Sequence, residues 1–410
     1  MTSKESRKLL FLAFESPWPA YSGFQKRTLG LLTELSRAYQ INLGLVIKYP
    51  LTYEQRKYLS KFAHKITEIQ RRDMSLLDKL KVAHTALILQ VPYHVAVVEN
   101  SIKANRSGKD IRLKESNCIY SNLAHWTLPI RNRPGIRWII DQHNADVQFW
   151  EIYAHECTNP LVRAIALINK NLTLRYCRQM YPNAGRIISV SDEDRSLSLK
   201  ICPDARFDVI LNGVDCDYFF PNRSRPTNPQ LLFTGTSVNR NMKALRQFFK
   251  DIYPKIRYKV PEVEFIIGGN FSKKARKEFA CIPAIRFTGK VGDLRPFYNK
   301  SSIFVNPFDE IYGSKLKVSE ALAMGICVVS YSGGVKGMPV IKDESVLIAH
   351  DNKEFAKQTI YALSNHDFAE KIGKSGRLVA EKYLDWRRVL GPRLRRIVNQ
   401  VMDSEANSDE

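Results

Sequence analysis

Short apolar runs alternate with longer stretches of helical spacing along this chain. Residues 9–14 and 41–47 read as buried strands, and between them residues 25–38 carry Leu29, Leu31, Leu32 and Leu35 at a helical spacing. Further strands are predicted at 118–121, 138–140, 186–190 and 208–211, with one long helix over 161–179. Such β-α-β alternation argues for a parallel, doubly wound sheet.

The pattern then restarts. Residues 221–229, PNRSRPTNP, hold three prolines among polar residues and read as a linker. Beyond it, strands are predicted at 230–233, 263–267, 285–288, 303–306 and 327–330, with closing helices over 352–363, 368–383 and 386–401. The expected architecture is α/β, two Rossmann-like doubly wound domains facing across a cleft. The first spans 1–214, a linker 215–229, the second 230–375, and closing helices with an acidic tail 376–410. In open α/β sheets, ligands sit beyond the carboxyl ends of the strands, so the informative loops are those just after strands.

Composition narrows this picture. A chain of 410 residues can bury full cores without disulfides or metals. Its formal charge of +22 is spread over both halves and favours acidic partners: phosphates, nucleic acid or an anionic membrane surface. No basic tail and no aromatic-rich basic module singles out nucleic acid, so none is expected. The seven cysteines are scattered without a Cys-x-x-Cys pair, which reads as reduced thiols in a cytoplasmic protein and gives no metal motif. The apolar run at 9–14 is too short for a signal-peptide core. No run approaches the ~18 apolar residues of a membrane span.

Several loops after strands carry chemistry. After the first strand comes Glu15-Ser-Pro-Trp-Pro-Ala-Tyr-Ser-Gly23, with Gly23 at a helix mouth where backbone N–H groups can meet an anion. It is neither a Walker loop nor GxGxxG, and turn chemistry alone also accounts for it. After residues 138–140 comes Asp141-Gln-His-Asn144, placing His143 at a strand end; Asn144 there also suits a helix cap. His125 is a weaker candidate. Ser191 or Asp192 caps a helix over 193–199, and Asn212-Gly213 forms a tight turn. The sharpest segment is Tyr312-Gly-Ser-Lys-Leu-Lys-Val-Ser-Glu-Ala-Leu-Ala-Met-Gly325. Ser314 is a natural N-cap, Lys315 and Lys317 add charge to a phosphate-accepting helix start, and the Glu320 carboxylate can accept both hydroxyls of a ribose. The plainer reading is a surface helix with solvated lysines. Gly333, Gly334 and Gly337 follow the next strand, where glycine lets a backbone approach a ligand.

The order of these motifs resembles one family. SPWPAYSG (16–23), IIDQHN (139–144), VSDED (190–194), ILNGVDCDYFFP (210–221), LLFTGT (231–236), FTGKVGDLRPFY (287–298) and SKLKVSEALAMG (314–325) are similar to retaining GT-B glycosyltransferases of family 4. The nearest likeness is to bacterial transferases of exopolysaccharide and surface-glycan clusters, over roughly residues 8–340. The resemblance implies transfer of a sugar from a nucleotide-sugar donor to a glycan or lipid-linked acceptor, with retention, no cofactor and no metal. It implies that Glu320 binds the donor ribose, that Lys315 and Lys317 lie beside its pyrophosphate, that His143 lies near the transferred sugar, and that Gly23 stands beside the reaction centre. It implies further donor contacts from Val291 at the base and from Leu316, Gly235 and Lys243. No protein nucleophile is implied.

Two departures stand out. Many members carry Glu-x7-Glu, but the residue eight before Glu320 is Tyr312; Asp309 or Glu310 substitutes, or the first Glu is dispensed with. Many also carry an Arg just after the first strand of the second domain, where Gly235 is followed by Thr236 and the nearest bases are Arg240 and Lys243. Two other functions fit the same scaffold: a nucleotide-sugar epimerase, and a catalytically silent nucleotide-sugar-binding relative. Finally, Arg56, Lys57, Lys61, Lys65, Arg71, Arg72, Lys79 and Lys81 interleave with apolar residues ahead of a segment at 87–95. This predicts either reversible docking on anionic lipid at the inner face of a membrane or one ordinary surface helix.

Overall fold

The computed structural model describes residues 7–71, 75–104, 116–123, 137–143, 146–222, 228–309 and 315–404. The chain divides into two compact units, Met1–Leu211 with Gly391–Glu410, and Asn212–Leu390.

The first unit holds a seven-stranded, all-parallel sheet among the described residues. Its strands are β1 (Lys8–Ala13), β2 (Gln40–Ile47), β3 (Lys65–Gln70), β4 (Cys118–Asn122), β5 (Trp138–Asp141), β6 (Arg186–Ser189) and β7 (Phe207–Val209), in the order β3-β2-β1-β4-β5-β6-β7. The inner strands are largely buried, as helices on both faces require, and every residue of β4 and β5 is buried. The order reverses between β1 and β4, which pair from Leu9 with Cys118 to Leu12 with Ser121. That reversal leaves a crevice at the carboxyl ends of the strands, beside the loop after β1.

Among the described residues, the second unit repeats the plan with six strands: β8 (Gln230–Thr234), β9 (Glu264–Gly268), β10 (Ile285–Phe287), β11 (Ile303–Asn306), β12 (Cys327–Tyr331) and β13 (Leu347–Ala349), ordered β10-β9-β8-β11-β12-β13. Its switch point lies between β8 and β11. One face is sealed by an aromatic cluster in which Phe248, Phe249, Tyr253 and Phe265 pack with ring centroids 5.0–6.3 Å apart.

Two strands escape the sequence pattern. β3 and β13 are an edge strand and a three-residue strand, too short or too polar to show a buried run. β3 also corrects the single surface helix expected over 56–81. That stretch is a helix (Tyr53–Leu59), then β3, then a helix (Leu76–Leu89). Arg56 pairs with Glu68, Arg71 lies over the Phe14 ring, and Arg72 lies outside the described residues.

The boundaries also shift. Residues 215–222 do not run free as a linker but pack within the second unit. The Val214 N–H donates to the Leu384 carbonyl, Arg377 donates to the Cys216 carbonyl, and a Cβ on Gly213 would strike Trp386 and Leu390. The closing helices divide as well. His366–Val379 stays with the second unit, whereas the helix Gly391–Asp403 returns to the first. It buries Leu394, Ile397, Val398, Val401 and Met402 there, and Arg395 reaches Glu34 Oε2 at 2.7 Å.

Candidate functional site

Two clusters form, each at the switch point of its own sheet. In the first unit, β5 ends in Asp141 and the chain turns through Gln142 to His143. The helix Gly23–Ser36 begins after β1 with a capping box between Ser22 and Gln25, which puts Gly23 at its first position. Its next residue, Phe24, lays its ring 4.4 Å from that of His143. One turn on, Arg27 is 1% exposed and donates to Asp141 from Nε (3.0 Å) and Nη2 (2.7 Å). Its Nη1 donates to the carbonyls of Ile210 (2.9 Å) and Leu211 (3.2 Å). His143 Nε2 lies 2.5 Å from Asn122 Oδ1 and 3.2 Å from Asp141 Oδ2.

The electrostatics follow from burial and pairing. Burial opposes the Asp141 charge, but Arg27 and His143 outweigh it and hold the carboxyl below its ordinary range. Burial likewise opposes the Arg27 charge, and Asp141 more than restores it. For His143, burial wins over the Asp141 bond and pushes the ring below its ordinary value, so the imidazole is neutral at neutral pH. Beneath it, Gln142 donates to the Tyr181 hydroxyl at 2.6 Å, and Tyr181 donates to Asp146 at 3.1 Å.

In the second unit, the cradle is built from the ends of β8 and β11. Gly235 follows β8, and a Cβ there would lie 2.6 Å from Asn241 Nδ2. Asn241 is buried and donates to the Thr236 carbonyl at 2.8 Å, while its Oδ1 accepts from Lys317 Nζ at 3.3 Å. The Lys317 ammonium stands 4.3 Å from the ring centre of Phe308 and 4.8 Å from that of Phe233; Arg240 lies over Phe308 at 4.7 Å. Lys315 donates to the Gly333 carbonyl at 2.9 Å. Leu316 opens the helix Leu316–Ala323 as a buried residue, and Glu320, 3% exposed, lies one turn further. The Tyr298 hydroxyl reaches Glu320 Oε2 at 3.5 Å and Thr234 Oγ1 at 3.3 Å. Beside this, Gly269 adopts φ +116°, and a Cβ there would collide with the Gly235 carbonyl, so both backbone angle and space call for glycine.

The expected residues are therefore gathered unequally. Gly235, Lys315, Leu316, Lys317 and Glu320 share one strand-end region, and Gly23 and His143 share the other. Val291 lies half-buried in the loop after β10, two strands from β8. Lys243 is exposed, two positions beyond Asn241 and so on another helix face. Helix Leu316–Ala323 begins from Lys315 with no side-chain cap bond; Ser314, expected as its cap, lies outside the described residues, as do Tyr312, Glu310, Asn144 and His125. Sequence reasoning missed Arg27, Asn122, Asn241 and Tyr298. Their polarity at strand ends or near helix starts was the available signal, but each also has a partner far along the chain: Asp141 for Arg27, Thr28 for Asn122, Lys317 for Asn241 and Thr234 for Tyr298.

Comparison with known proteins agrees with this fold. Residues 228–365 match the model of the Glycosyl transferases group 1 family. The chain is 24% identical over 367 residues to a protein of the cps region of Klebsiella pneumoniae, covering 86% of this chain and 90% of that protein. Sucrose-phosphate synthase from Thermosynechococcus elongatus superposes with a TM-score of 0.71 at 15% identity, covering 97% of this chain and 100% of that one. HepE from Anabaena, solved in complex with UDP-glucose, superposes at 0.61 with 12% identity, covering 97% and 99%. The two parallel sheets share one switch-point order, and the likeness to these structures makes this a GT-B fold.

Proposed function

We propose that this chain transfers a sugar from a nucleotide-sugar donor to a glycan or lipid-linked acceptor, with retention of anomeric configuration and without a catalytic metal. The observation that carries this reading is the cradle of the group 1 domain, where Lys317 stands on two aromatic faces beside Gly235, Asn241 and the helix that carries Glu320. A departing nucleoside diphosphate gathers negative charge, and fixed positive groups aimed at it lower the barrier. Lys317 and Lys315 supply that charge, with the start of helix Leu316–Ala323 adding its N–H groups. Glu320 accepts the ribose hydroxyls, and the loop at Val291 holds the base. His143, with Gly23 beside it, orients the transferred sugar. The UDP-glucose bound by HepE and the cps region of the Klebsiella relative support a sugar nucleotide and a surface polysaccharide.

The acceptor side favours a lipid surface. No helix among the described residues is long and apolar enough to cross a membrane. The helix Leu76–Leu89 nevertheless exposes Leu76 (74%), Leu77, Leu80, Leu87 and Ile88, with Lys79 and Lys81 among them. Such a face docks reversibly on anionic lipid at the cytoplasmic side, by apolar insertion and charge together.

Incubating the protein with UDP-, GDP-, dTDP- and ADP-sugars, acceptor membranes and a chelator tests the reading. Sugar appearing on the acceptor with its anomeric configuration kept, as read by proton coupling, is the expected result. An epimerised donor with no transfer would make the protein an isomerase, and full inhibition by the chelator would overturn metal independence.

A further inference from the structure

The hydrogen bonds behind His143 leave little freedom in where its proton sits. The Thr28 hydroxyl donates to the Phe24 carbonyl one turn earlier, at 2.8 Å. Its single proton is thereby committed, so toward Asn122 it acts as acceptor, and the Asn122 amide places Nδ2 on it at 2.6 Å. That turns Oδ1 of the same amide, an acceptor only, onto His143 Nε2 at 2.5 Å. Asp141 Oδ2 meets the same nitrogen at 3.2 Å, and its carboxylate is held by both arms of Arg27. Two acceptors from two different strands converge on Nε2, and Arg27, Asp141 and Asn122 are all buried.

We propose that Thr28 and Asn122 are positioning residues, which with the Arg27–Asp141 pair fix His143 as the neutral Nε2–H tautomer and leave Nδ1 as the ring's acceptor. The inference rests on His143 serving the transfer reaction, but its first test does not. A wrong tautomer would point a donor where an acceptor is needed, so selection of the tautomer is selection of what the ring can hold. The charged and titratable groups facing this ring system are Arg27, Asp141, Tyr120 and, beyond Arg27, Asp194. Among them, only Asp141 both carries an ionised acceptor and touches the ring.

Thr28→Val keeps the side-chain shape and deletes the hydroxyl; Thr28→Ser keeps the hydroxyl. The ring nitrogens of 15N-labelled His143, assigned by its absence in His143→Gln, report the tautomer directly in the full chain. The expected result is a protonated Nε2 and a bare Nδ1 near neutral pH in the unaltered protein and in Thr28→Ser, and a mixed tautomer in Thr28→Val. Sugar transfer should then show kcat lowered about fivefold to tenfold in Thr28→Val with donor KM unchanged, the scale of one lost orienting hydrogen bond, and restored in Thr28→Ser. A protonated Nδ1 or a doubly protonated ring in the unaltered protein would overturn the proposal. So would a Thr28→Val protein whose tautomer is unchanged. An unchanged kcat beside a shifted tautomer would instead leave the tautomer assignment standing and overturn the part of His143 in transfer.

Discussion

Arg27 and Asp141 meet through two hydrogen bonds, 3.0 and 2.7 Å long, with side chains 1% and 0% exposed. A buried ion pair is costly to form and more costly to break, because removing one partner strands the other charge away from water. Arg27→Met should therefore destabilise the first unit by about 3–5 kcal/mol, and the double variant Arg27→Met with Asp141→Leu should recover a large part of that loss. Denaturant unfolding of the two proteins checks the comparison. A double variant as unstable as the single one would show that Arg27 acts through Ile210 and Leu211 instead.

Lys317→Met keeps the apolar stem against Phe233 and Phe308 while deleting the charge. It should lower kcat on the order of tenfold or more at saturating donor, with the melting temperature little changed, because the charge matters most as the diphosphate departs. Steady-state kinetics with thermal melts of both proteins gives the answer.

Glu320→Gln should weaken donor binding by about 1.5–3 kcal/mol, the worth of a hydrogen bond to a charged group. Calorimetric titration with the donor nucleotide reads the change. An affinity equal to that of the unaltered protein would leave Glu320 as a structural partner of Tyr298.

The first unit should lose stability as pH falls. Burial lowers His94 from 6.5 to about 4. Between those values the unfolded chain binds a proton that the folded one refuses, so stability rises with pH across this window. The contribution is up to about 3 kcal/mol. His94→Phe keeps a ring beside Trp150 and should flatten this dependence in melts run from pH 4 to pH 7.

Much of the fold was legible because buried parallel strands leave continuous apolar runs: β1, β2, β4, β5 and β8 to β12 all stand where the pattern puts them, within a few residues. β3 alternates partly exposed residues, and β13 has only three, so neither leaves such a trace. The return of helix Gly391–Asp403 to the first unit depends on which core its apolar stripe meets, a matter of complementarity to Glu34, Tyr39 and Gly185 that spacing does not encode. In the sites, Lys317 and His143 were visible as chemistry at strand ends. Arg27, Asn122 and Asn241 were not, since each earns its place through a partner 76 or more residues away or, for Asn241, through a backbone carbonyl and the missing Cβ of Gly235.

The proposed transfer requires the second unit to hold a nucleoside diphosphate at the switch point between β8 and β11. Thermal shift of the full chain with UDP, GDP, dTDP and ADP tests it most directly, since a ligand bound only by the folded state raises the melting temperature. At least one of the four is expected to raise it, and Lys317→Met and Glu320→Gln are each expected to reduce that rise. No shift with any of the four, or a shift undiminished in both variants, would contradict it.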